Sequence, residues 1–378
     1  MSASLPATVT LENLARTRIV EHGVAPAAAI AVGAHGAAGW RFATGAFGLR
    51  SRARPTPVHE KTPFDLASVT KPVVAATVAR LVRSGVLGFR TPLAALLPEL
   101  ADTASAPVAL ELLLAHRAGV EAHRALYSPL VSGQSIAASE MLHAAAEARR
   151  PECVGDPAEE GFAPLYSDLG YLLAGAAASR AAARPLSEVV FRETTGLLGL
   201  DIASAEAYRA AQANFLDDVA PTEVVAWRGG EIVGAVHDEN AWAFAGHGVA
   251  GHAGLFGTAE AVARFGAAFL DAFSGRDARW LTPAEAIVLC RPRPLGTLRA
   301  GFDGRSPEGS AAGSAFGPRS FGHLGFTGTS LWCDPDASVV AVILTNRVNP
   351  TRENIAIRAV RPSLHDALFA VALSLREA

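Results

Sequence analysis

The 378-residue sequence predicts an α+β protein, an α/β fold in the broad sense, in which both ends of the chain build one antiparallel sheet. Three observations support this fold class. A helical pattern and two strand-like segments come first. Three strand-like segments and a helix come last, and the sequence between them is mainly helical in pattern. Helices should therefore flank the sheet, and a mostly helical lobe should be inserted between its two halves.

The N-terminal part begins with apolar residues at helical spacing over residues 8–22, and Gly23 and Pro26 end this run. Two strand-like segments, residues 28–32 and 38–45, follow and predict a hairpin. Residues 69–84 are apolar on nearly all sides, which is typical of a buried helix, and Gly85 ends it. Pro72 fits only the first turn of that helix, so the helix should begin close to Ser68.

The C-terminal part contains three predicted strands and a closing amphipathic helix. The strands are expected at residues 320–326, 330–333 and 338–345, and the helix at about 354–375. We therefore expect one domain over residues 1–378, with the active site between two lobes. The expected lobes are an α/β lobe of residues 1–84 and 311–378 and a mainly helical lobe of residues 85–310.

Composition limits the function classes. Half of the residues are hydrophobic and the net charge is −3, so a sizeable core is available and no basic surface for nucleic acid is indicated. Cys153, Cys290 and Cys333 are widely spaced, which predicts neither a disulfide framework nor a zinc site. No signal-peptide pattern and no apolar stretch of about 18 residues is evident. A cytoplasmic protein with a small-molecule partner, and without membrane partners, is expected.

The first candidate site is the pair Ser68 and Lys71. On a helix, residues three apart share a face, so the amine can reach the hydroxyl, as an activated nucleophile requires. Lys61 and Lys71 are the only lysines among 33 basic residues. An arginine stays protonated in proteins, whereas a lysine can act as a base when its pKa falls. The alternative interpretation is that Ser68 caps the helix and Lys71 is a solvated first-turn residue.

Two further motifs carry candidate residues. Tyr166 precedes Ser167 and Asp168, and a tyrosine facing Lys71 would complete a Ser–Lys–Tyr proton relay. The alternative is a helix N-cap at Ser167 or Asp168 with Tyr166 packed beside it. The third motif lies within residues 321–332, where glycines near His323 would allow a substrate to approach the backbone of a strand.

Together, Ser68-Val-Thr-Lys71, Tyr166-Ser-Asp168 and His323-Leu-Gly325 resemble the three motifs of the serine β-lactamase-related and penicillin-binding protein superfamily. The similarity is to the class C β-lactamase-like branch, which includes family VIII-type esterases and D-aminopeptidases. Supporting stretches, such as residues 113–119, 251–259 and 338–346, extend the resemblance over nearly the whole chain.

The resemblance implies a β-lactamase/transpeptidase-like fold and a serine hydrolase without cofactor or metal. Ser68 would be the acylated nucleophile, Lys71 would accept or relay its proton, and Tyr166 would protonate the leaving group and later activate water. The backbone N–H groups of Ser68 and Phe326 would form the oxyanion hole. The predicted substrate-binding residues are Asp168, His252, His323, Leu324 and Gly325.

Two departures from the family pattern narrow the substrate. Asp168 stands where many relatives carry asparagine, and an ionised carboxylate would keep Lys71 protonated. His323-Leu324-Gly325 replaces Lys-Thr-Gly, so the ammonium and hydroxyl that hold a penicillin carboxylate are missing. Both changes favour a small ester or peptide-like substrate. A β-lactamase, a D,D-peptidase and a non-catalytic binding or sensor protein remain the alternatives.

Two patterns suggest other ligands. Residues 246–251 match G-x-G-x-x-G, but no strand–helix unit frames them, so a dinucleotide site is not expected. A cluster of histidines and acids could suggest a metal, although its spacing fits no metal motif. Its members are His237, Asp238, Glu239, His247 and His252. We expect this loop to line the substrate pocket instead.

Overall fold

The computed structural model describes residues 6–376 and contains a six-stranded antiparallel sheet. The strands, in chain order, are β1 Ala27–Gly36, β2 Gly39–Gly48, β3 Phe64–Asp65, β4 Ile202–Ser204, β5 Val224–Val225, β6 Gly230–Glu231, β7 Leu255–Gly257, β8 Asp303–Gly304, β9 Phe321–Leu324, β10 Ser330–Asp334 and β11 Val339–Thr345. The large sheet has the order β2-β1-β11-β10-β9-β8, so strands from both ends of the chain lie side by side. The predicted fold class is confirmed.

Helices cover both faces of this sheet and provide most of the regular secondary structure between its two halves. The α-helices are α1 Ala7–Leu14, α2 Thr70–Arg83, α3 Leu93–Leu96, α4 Leu110–Leu114, α5 Ser128–Val131, α6 Ala138–Ala146, α7 Asp168–Ala181, α8 Leu186–Val190, α9 Ala205–Ala211, α10 Phe215–Asp218, α11 Glu239–Ala245, α12 Ala259–Ser274, α13 Pro283–Cys290 and α14 Ile357–Ser374. Among the helices between residues 6 and 376, none is both long and apolar enough to cross a membrane.

The central strands β1 and β11 are buried on both faces, which explains their continuous apolar sequence. Successive side chains of a strand point to opposite faces. Ile30 and its same-face neighbours therefore join a core with α1 and α14, whereas Ala29 and Ala31 join a larger core that includes α2, α7 and α12. Because both faces of the sheet are covered, these strands are largely apolar and do not alternate apolar with polar residues.

Two predicted elements differ from the observed ones. The N-terminal hairpin is longer than expected. Its first strand continues beyond residue 32 through Gly33 and His35, and its turn lies at residues 37 and 38. In the C-terminal sheet, β9 ends at Leu324 and residues 325–329 form a turn before β10. Phe326 therefore lies in this turn and not on the strand. Because Phe326 lies in the turn, its backbone N–H does not take part in the hydrogen bonds of the sheet.

The inserted residues do not all lie apart from the sheet. Helix α12, which the predicted division places in the helical lobe, packs against β1, β10 and β11. Strand β8 pairs with β9 at the sheet edge. Phe265, Phe269 and the other apolar residues on the same face of α12 are buried, which is consistent with this face packing on the sheet. The lobe boundaries at 84/85 and 310/311 stay a prediction.

Candidate active site

A short segment between β3 and α2 presents Ser68. Ala67 has a φ of +47°, a left-handed conformation that is uncommon for residues other than glycine. The buried Asp65 carboxylate holds this turn by accepting hydrogen bonds from the backbone N–H of Ala67 at 2.8 Å and of His237 at 2.7 Å. Burial outweighs these two bonds and raises the pKa of Asp65 to about 6. The segment places Ser68 in a cavity of about 570 Å³.

Lys71 lies in the first turn of α2, fully buried, with its Nζ beside Ser68. Nζ donates to Ser68 Oγ at 2.9 Å, to Asp168 Oδ1 at 2.7 Å and to the backbone oxygen of His252 at 3.2 Å. Burial acts to lower the pKa of Lys71, but Asp168 and Tyr166 outweigh it and raise that pKa above its ordinary value. Lys71 is thus a buried cation in the resting site, and not a solvated first-turn residue.

Tyr166 lies against this pair. The Nζ of Lys71 is 4.8 Å from the centre of the Tyr166 ring, and the phenol interacts with both Ser68 and Lys71. Burial raises the pKa of Tyr166, and the nearby Lys71 offsets this rise only in part. The resting phenol is therefore neutral and holds a proton that it can donate. The structure brings Ser68, Lys71 and Tyr166 together as the sequence predicts.

His116 positions Tyr166, and the sequence interpretation did not single it out as a site residue. Its ring stacks on Tyr166 with 4.7 Å between centroids, and its Nδ1 accepts a hydrogen bond from the backbone N–H of Ser167 at 3.0 Å. Burial lowers the pKa of His116 well below its ordinary value, so the ring is neutral and can accept that bond. The stretch of residues 113–119, which supports the family resemblance, contains His116, but its contact with Tyr166 arises only in the fold.

The N-cap of α7 is Ser167, whose Oγ accepts a hydrogen bond from the backbone N–H of Gly170 at 3.1 Å. Asp168 is the first residue inside the helix, and its carboxylate contacts Lys71. The interpretation of Asp168 as a plain cap is therefore wrong. Because Ser167 already satisfies the helix end, the Asp168 side chain can turn towards the lysine. Asp168 also lines the cavity, where it was predicted to meet the substrate.

The turn after β9 is tied to the segment that carries Ser68. Thr327 Oγ1 donates to the backbone oxygen of Asp65 at 2.8 Å, and Thr329 Oγ1 donates to that of Leu66 at 2.9 Å. A Cβ at Gly325 would lie 2.7 Å from the Leu66 oxygen, so only glycine fits this close approach. The backbone N–H of Phe326 donates to no acceptor within residues 6–376. The two predicted oxyanion donors thus sit on segments that are bonded to each other.

His323 and Leu324 line the cavity next to Gly325, as predicted. His323 Nδ1 lies 2.8 Å from the backbone oxygen of Leu324 and therefore donates its proton there. Burial and the nearby Lys71 lower the pKa of His323 to about 3. The imidazole is neutral at physiological pH, so it does not replace the ammonium of the family's Lys-Thr-Gly motif.

His252, a predicted substrate-binding residue, lies behind the cavity wall in the structure. Its ring is only 1% exposed and lies outside the cavity lining. Nε2 pairs with Asp238 Oδ1 at 2.9 Å and Nδ1 lies 3.0 Å from the oxygen of Ala250, so both nitrogens are engaged. Asp238 raises the pKa of His252 although burial opposes this. These two contacts hold the ring and the backbone of His252 in place. The backbone oxygen of His252 accepts a hydrogen bond from Lys71 Nζ, so His252 helps to position the lysine.

The cluster of histidines and acids divides in the structure. His237, Asp238 and Glu239 line the cavity, whereas His247 and His252 do not. His237 stacks on Phe326 with 5.7 Å between centroids. Within residues 6–376, no group of three or more His, Cys, Asp or Glu side chains converges as a metal site would require. The loop contributes one cavity wall.

The beta-lactamase family model matches residues 16–364, most of the chain. The chain belongs to the beta-lactamase family. It is accordingly a serine hydrolase of that family, and the predicted family and class of enzyme are confirmed. Residues of its three motifs line one cavity.

Relatives within this family differ in their named activities. The chain is 27% identical over 319 residues to the N-acetylmuramyl-L-alanine amidase of Bacillus subtilis, covering 78% of this chain and 70% of that protein. It is 44% identical over 77 residues to esterase EstB of Burkholderia gladioli, but this match spans only 19% of the chain and 20% of the esterase. The solved structure of EstCE1, a hydrolase with promiscuous acyltransferase activity, superposes with a TM-score of 0.70 at 20% identity, covering 96% of this chain and 97% of EstCE1.

Proposed function

We propose that this protein hydrolyses small carboxylic esters, and small peptide-like amides more slowly, through an acyl-enzyme on Ser68. The observation that carries this proposal is the 2.9 Å contact between Lys71 Nζ and Ser68 Oγ at the wall of a cavity, with Tyr166 beside both. The names of EstB and EstCE1 support the ester activity, and that of the Bacillus relative supports amides.

Acylation needs an unprotonated Lys71. The amine accepts the proton of Ser68 while Oγ forms a bond to the substrate carbonyl carbon. As the tetrahedral intermediate collapses, the bond to the leaving group breaks and Tyr166 protonates the departing oxygen or nitrogen. Lys71 then returns a proton to the Tyr166 oxygen. The Ser68 proton has in effect moved to the leaving group, and both relay residues regain their starting forms.

Deacylation uses the same residues in reverse. Tyr166 passes its proton to the Lys71 amine and takes a proton from a water molecule that attacks the acyl carbon. When the acyl bond to Ser68 breaks, Lys71 returns a proton to Oγ. In both halves, the N–H groups of Ser68 and Phe326 donate to the oxygen that becomes negative, and each such donor contributes about 10²–10³ in rate.

The proposal is tested with p-nitrophenyl butyrate and the Ser68→Ala variant. Wild type should hydrolyse the ester, and the variant should fall to the rate of buffer because it lacks the nucleophile. Mass spectrometry of wild type after a short reaction should find the butyryl group on the peptide that contains Ser68. Ser363→Ala, which changes an exposed serine outside the cavity, is the matched control. Equal hydrolysis by wild type and Ser68→Ala would refute the proposal, and faster turnover of nitrocefin than of any ester would favour the β-lactamase alternative.

Asp168→Asn should move the pH dependence of ester hydrolysis. Asp168 contributes most to the raised pKa of Lys71, so its neutral replacement should lower that pKa and leave more free amine at a given pH. We expect the acidic limb of the kcat/KM profile to shift to lower pH, with activity gained most at the acidic end. The profile is measured from pH 5 to 9 at constant ionic strength. An unchanged limb would show that Lys71 is not the group whose deprotonation limits the reaction.

A further inference from the structure

Asp65 bonds to both segments that carry the proposed oxyanion donors. One of its carboxylate oxygens accepts a hydrogen bond from the backbone N–H of Ala67 at 2.8 Å, and Ala67 immediately precedes Ser68. Its backbone oxygen accepts a hydrogen bond from Thr327 Oγ1 at 2.8 Å, and Thr327 immediately follows Phe326. Each donor is therefore one residue away from a group that contacts Asp65.

The second carboxylate oxygen of Asp65 reaches a loop that forms another wall of the cavity. It accepts a hydrogen bond from the backbone N–H of His237 at 2.7 Å. The backbone oxygen of His237 in turn accepts a hydrogen bond from Arg228 Nη1 at 3.0 Å. The His237 ring stacks on Phe326 with 5.7 Å between centroids and 15° between the ring planes. A second route thus leads from Asp65 to Phe326, through the peptide group and the ring of His237.

The carboxylate of Asp65 is buried without a hydrogen-bonded cation. Asp65 is 2% exposed, and within residues 6–376 the donors to its carboxylate are both backbone N–H groups. Burial raises the pKa of Asp65 to about 6, so the group is ionised at neutral pH and both oxygens accept hydrogen bonds. A buried charge of this kind destabilises a fold. The two N–H groups that it holds in place therefore explain this carboxylate better than stability does.

The ring of His237 contributes a flat surface to the site and not a proton. Both ring nitrogens are buried without a hydrogen-bond partner in the described part of the chain, and Glu223 Oε2 lies 3.8 Å from Nε2. Burial lowers the pKa of His237 to about 4, so the ring is neutral at physiological pH. The stacking contact with Phe326 is therefore the interaction through which this ring acts on the site.

We infer that Asp65 is a positioning residue that, together with the His237 ring, sets the spacing between the two N–H donors of the oxyanion hole. The inference rests on the proposed function and deepens it. An oxyanion donor is effective only at about 2.7–3.1 Å from the oxygen that becomes negative, so a small shift of either segment weakens it. Loss of Asp65 or of the His237 ring should therefore lower kcat and weaken binding of transition-state analogues, while KM changes little.

Asp65→Asn tests the inference by steady-state kinetics. The amide keeps the shape of the carboxylate but has only one acceptor oxygen, so its NH₂ group faces one of the two N–H donors. With p-nitrophenyl butyrate, kcat should fall by about ten- to a hundredfold, and KM should stay within about twofold of the wild-type value.

Propyl trifluoromethyl ketone supplies a second readout, because it places an oxyanion in the hole without turnover. Ser68 Oγ adds to the ketone carbonyl carbon, the Ser68 proton passes to the Lys71 amine, and the carbonyl oxygen becomes the negative oxygen of a hemiketal. The inhibition constant of the ketone should rise in Asp65→Asn by about the factor by which kcat falls. Fluorine NMR distinguishes the hemiketal from the free ketone.

Asp334→Asn is the matched control for Asp65→Asn. Asp334 is also 2% exposed and accepts hydrogen bonds from three backbone N–H groups, but it does not line the cavity. The control makes the same chemical change and should keep the wild-type kcat and inhibition constant, even where its thermal stability falls. A kcat and an inhibition constant in Asp65→Asn that equal those of wild type would overturn the inference.

Three further variants keep the test decisive if Asp65→Asn does not fold. Thr327→Val removes the hydroxyl that donates to the Asp65 oxygen and should also lower kcat while KM is retained. His237→Ala should weaken binding of the ketone, and His237→Phe should restore it, because phenylalanine keeps the stacking ring and lacks only the two unpartnered nitrogens. Wild-type kcat in both Thr327→Val and His237→Ala would contradict the positioning role.

The ketone also separates this inference from the proposed function. If wild type hydrolyses esters through Ser68 and the Asp65 and Thr327 variants match it in kcat and in ketone binding, the inference fails and the proposed function stands. If wild type forms the hemiketal but hydrolyses no ester, and Asp65→Asn weakens the hemiketal, the positioning role is supported and the proposed function fails. Absence of both hydrolysis and hemiketal in wild type would overturn both.

Discussion

Lys71→Arg is expected to lower kcat/KM for p-nitrophenyl butyrate by about 10²–10⁴-fold. The guanidinium keeps the positive charge beside Asp168, so the attraction that holds the site together persists. However, arginine stays protonated in proteins, so it cannot accept the Ser68 proton. If Lys71 served only as a structural cation, the variant would keep its activity. If Lys71 accepts a proton, the variant loses activity. The experiment is a steady-state measurement near the pH of maximal wild-type activity.

The chain provides its own control for this prediction. Lys61 is the other lysine and is exposed, so Lys61→Arg makes the same chemical change away from the cavity and should keep wild-type activity. Lys71 is fully buried, and a larger side chain at this position could disturb the groups around it. Lys71→Ala with added ethylamine addresses this point, because a small amine can enter the space and restore activity. Wild-type rates in Lys71→Arg would contradict the relay.

Tyr166→Phe is expected to slow turnover by about 10²–10⁴-fold, with a pattern that depends on the leaving group. The variant keeps the ring that stacks on His116 but loses the hydroxyl. p-Nitrophenolate departs without a proton, so acylation by its esters should survive better than acylation by alkyl esters. Deacylation still needs Tyr166 to take a proton from water. We therefore expect a burst of p-nitrophenol followed by slow turnover, with the acyl-enzyme visible by mass spectrometry.

Tyr208→Phe is the matched control for Tyr166→Phe. Tyr208 is also buried, and its hydroxyl donates to Asp201 Oδ1 at 2.6 Å, but it does not line the cavity. Loss of this hydrogen bond should reduce stability by about 1 kcal/mol and leave the leaving-group dependence of wild type in place. If Tyr166→Phe slows esters of good and poor leaving groups equally and shows no burst, its role as the proton donor is excluded.

Much of the fold could be predicted because its signals are local. The apolar runs of the N- and C-terminal strands, and the nearly all-round apolar pattern of α2, follow from burial on two faces. The end of β9 at Leu324 could not be predicted, since the glycines at 322, 325 and 328 fit either a strand or a turn. The turn is set by bonds from Thr327 and Thr329 to residues more than 260 positions away.

The sequence by itself determined the pair Ser68 and Lys71, because a helix brings residues three apart together whatever the rest of the chain does. Together with the family motifs, it also indicated Tyr166 and the oxyanion position at Phe326. Only the tertiary structure decided which groups surround that pair. Asp168 contacts Lys71 across 97 positions and the His252 oxygen does so across 181. Such contacts leave no local periodicity, so the support that the His252 segment gives to Lys71 emerged only once the two ends of the chain and the inserted helices had packed around one cavity.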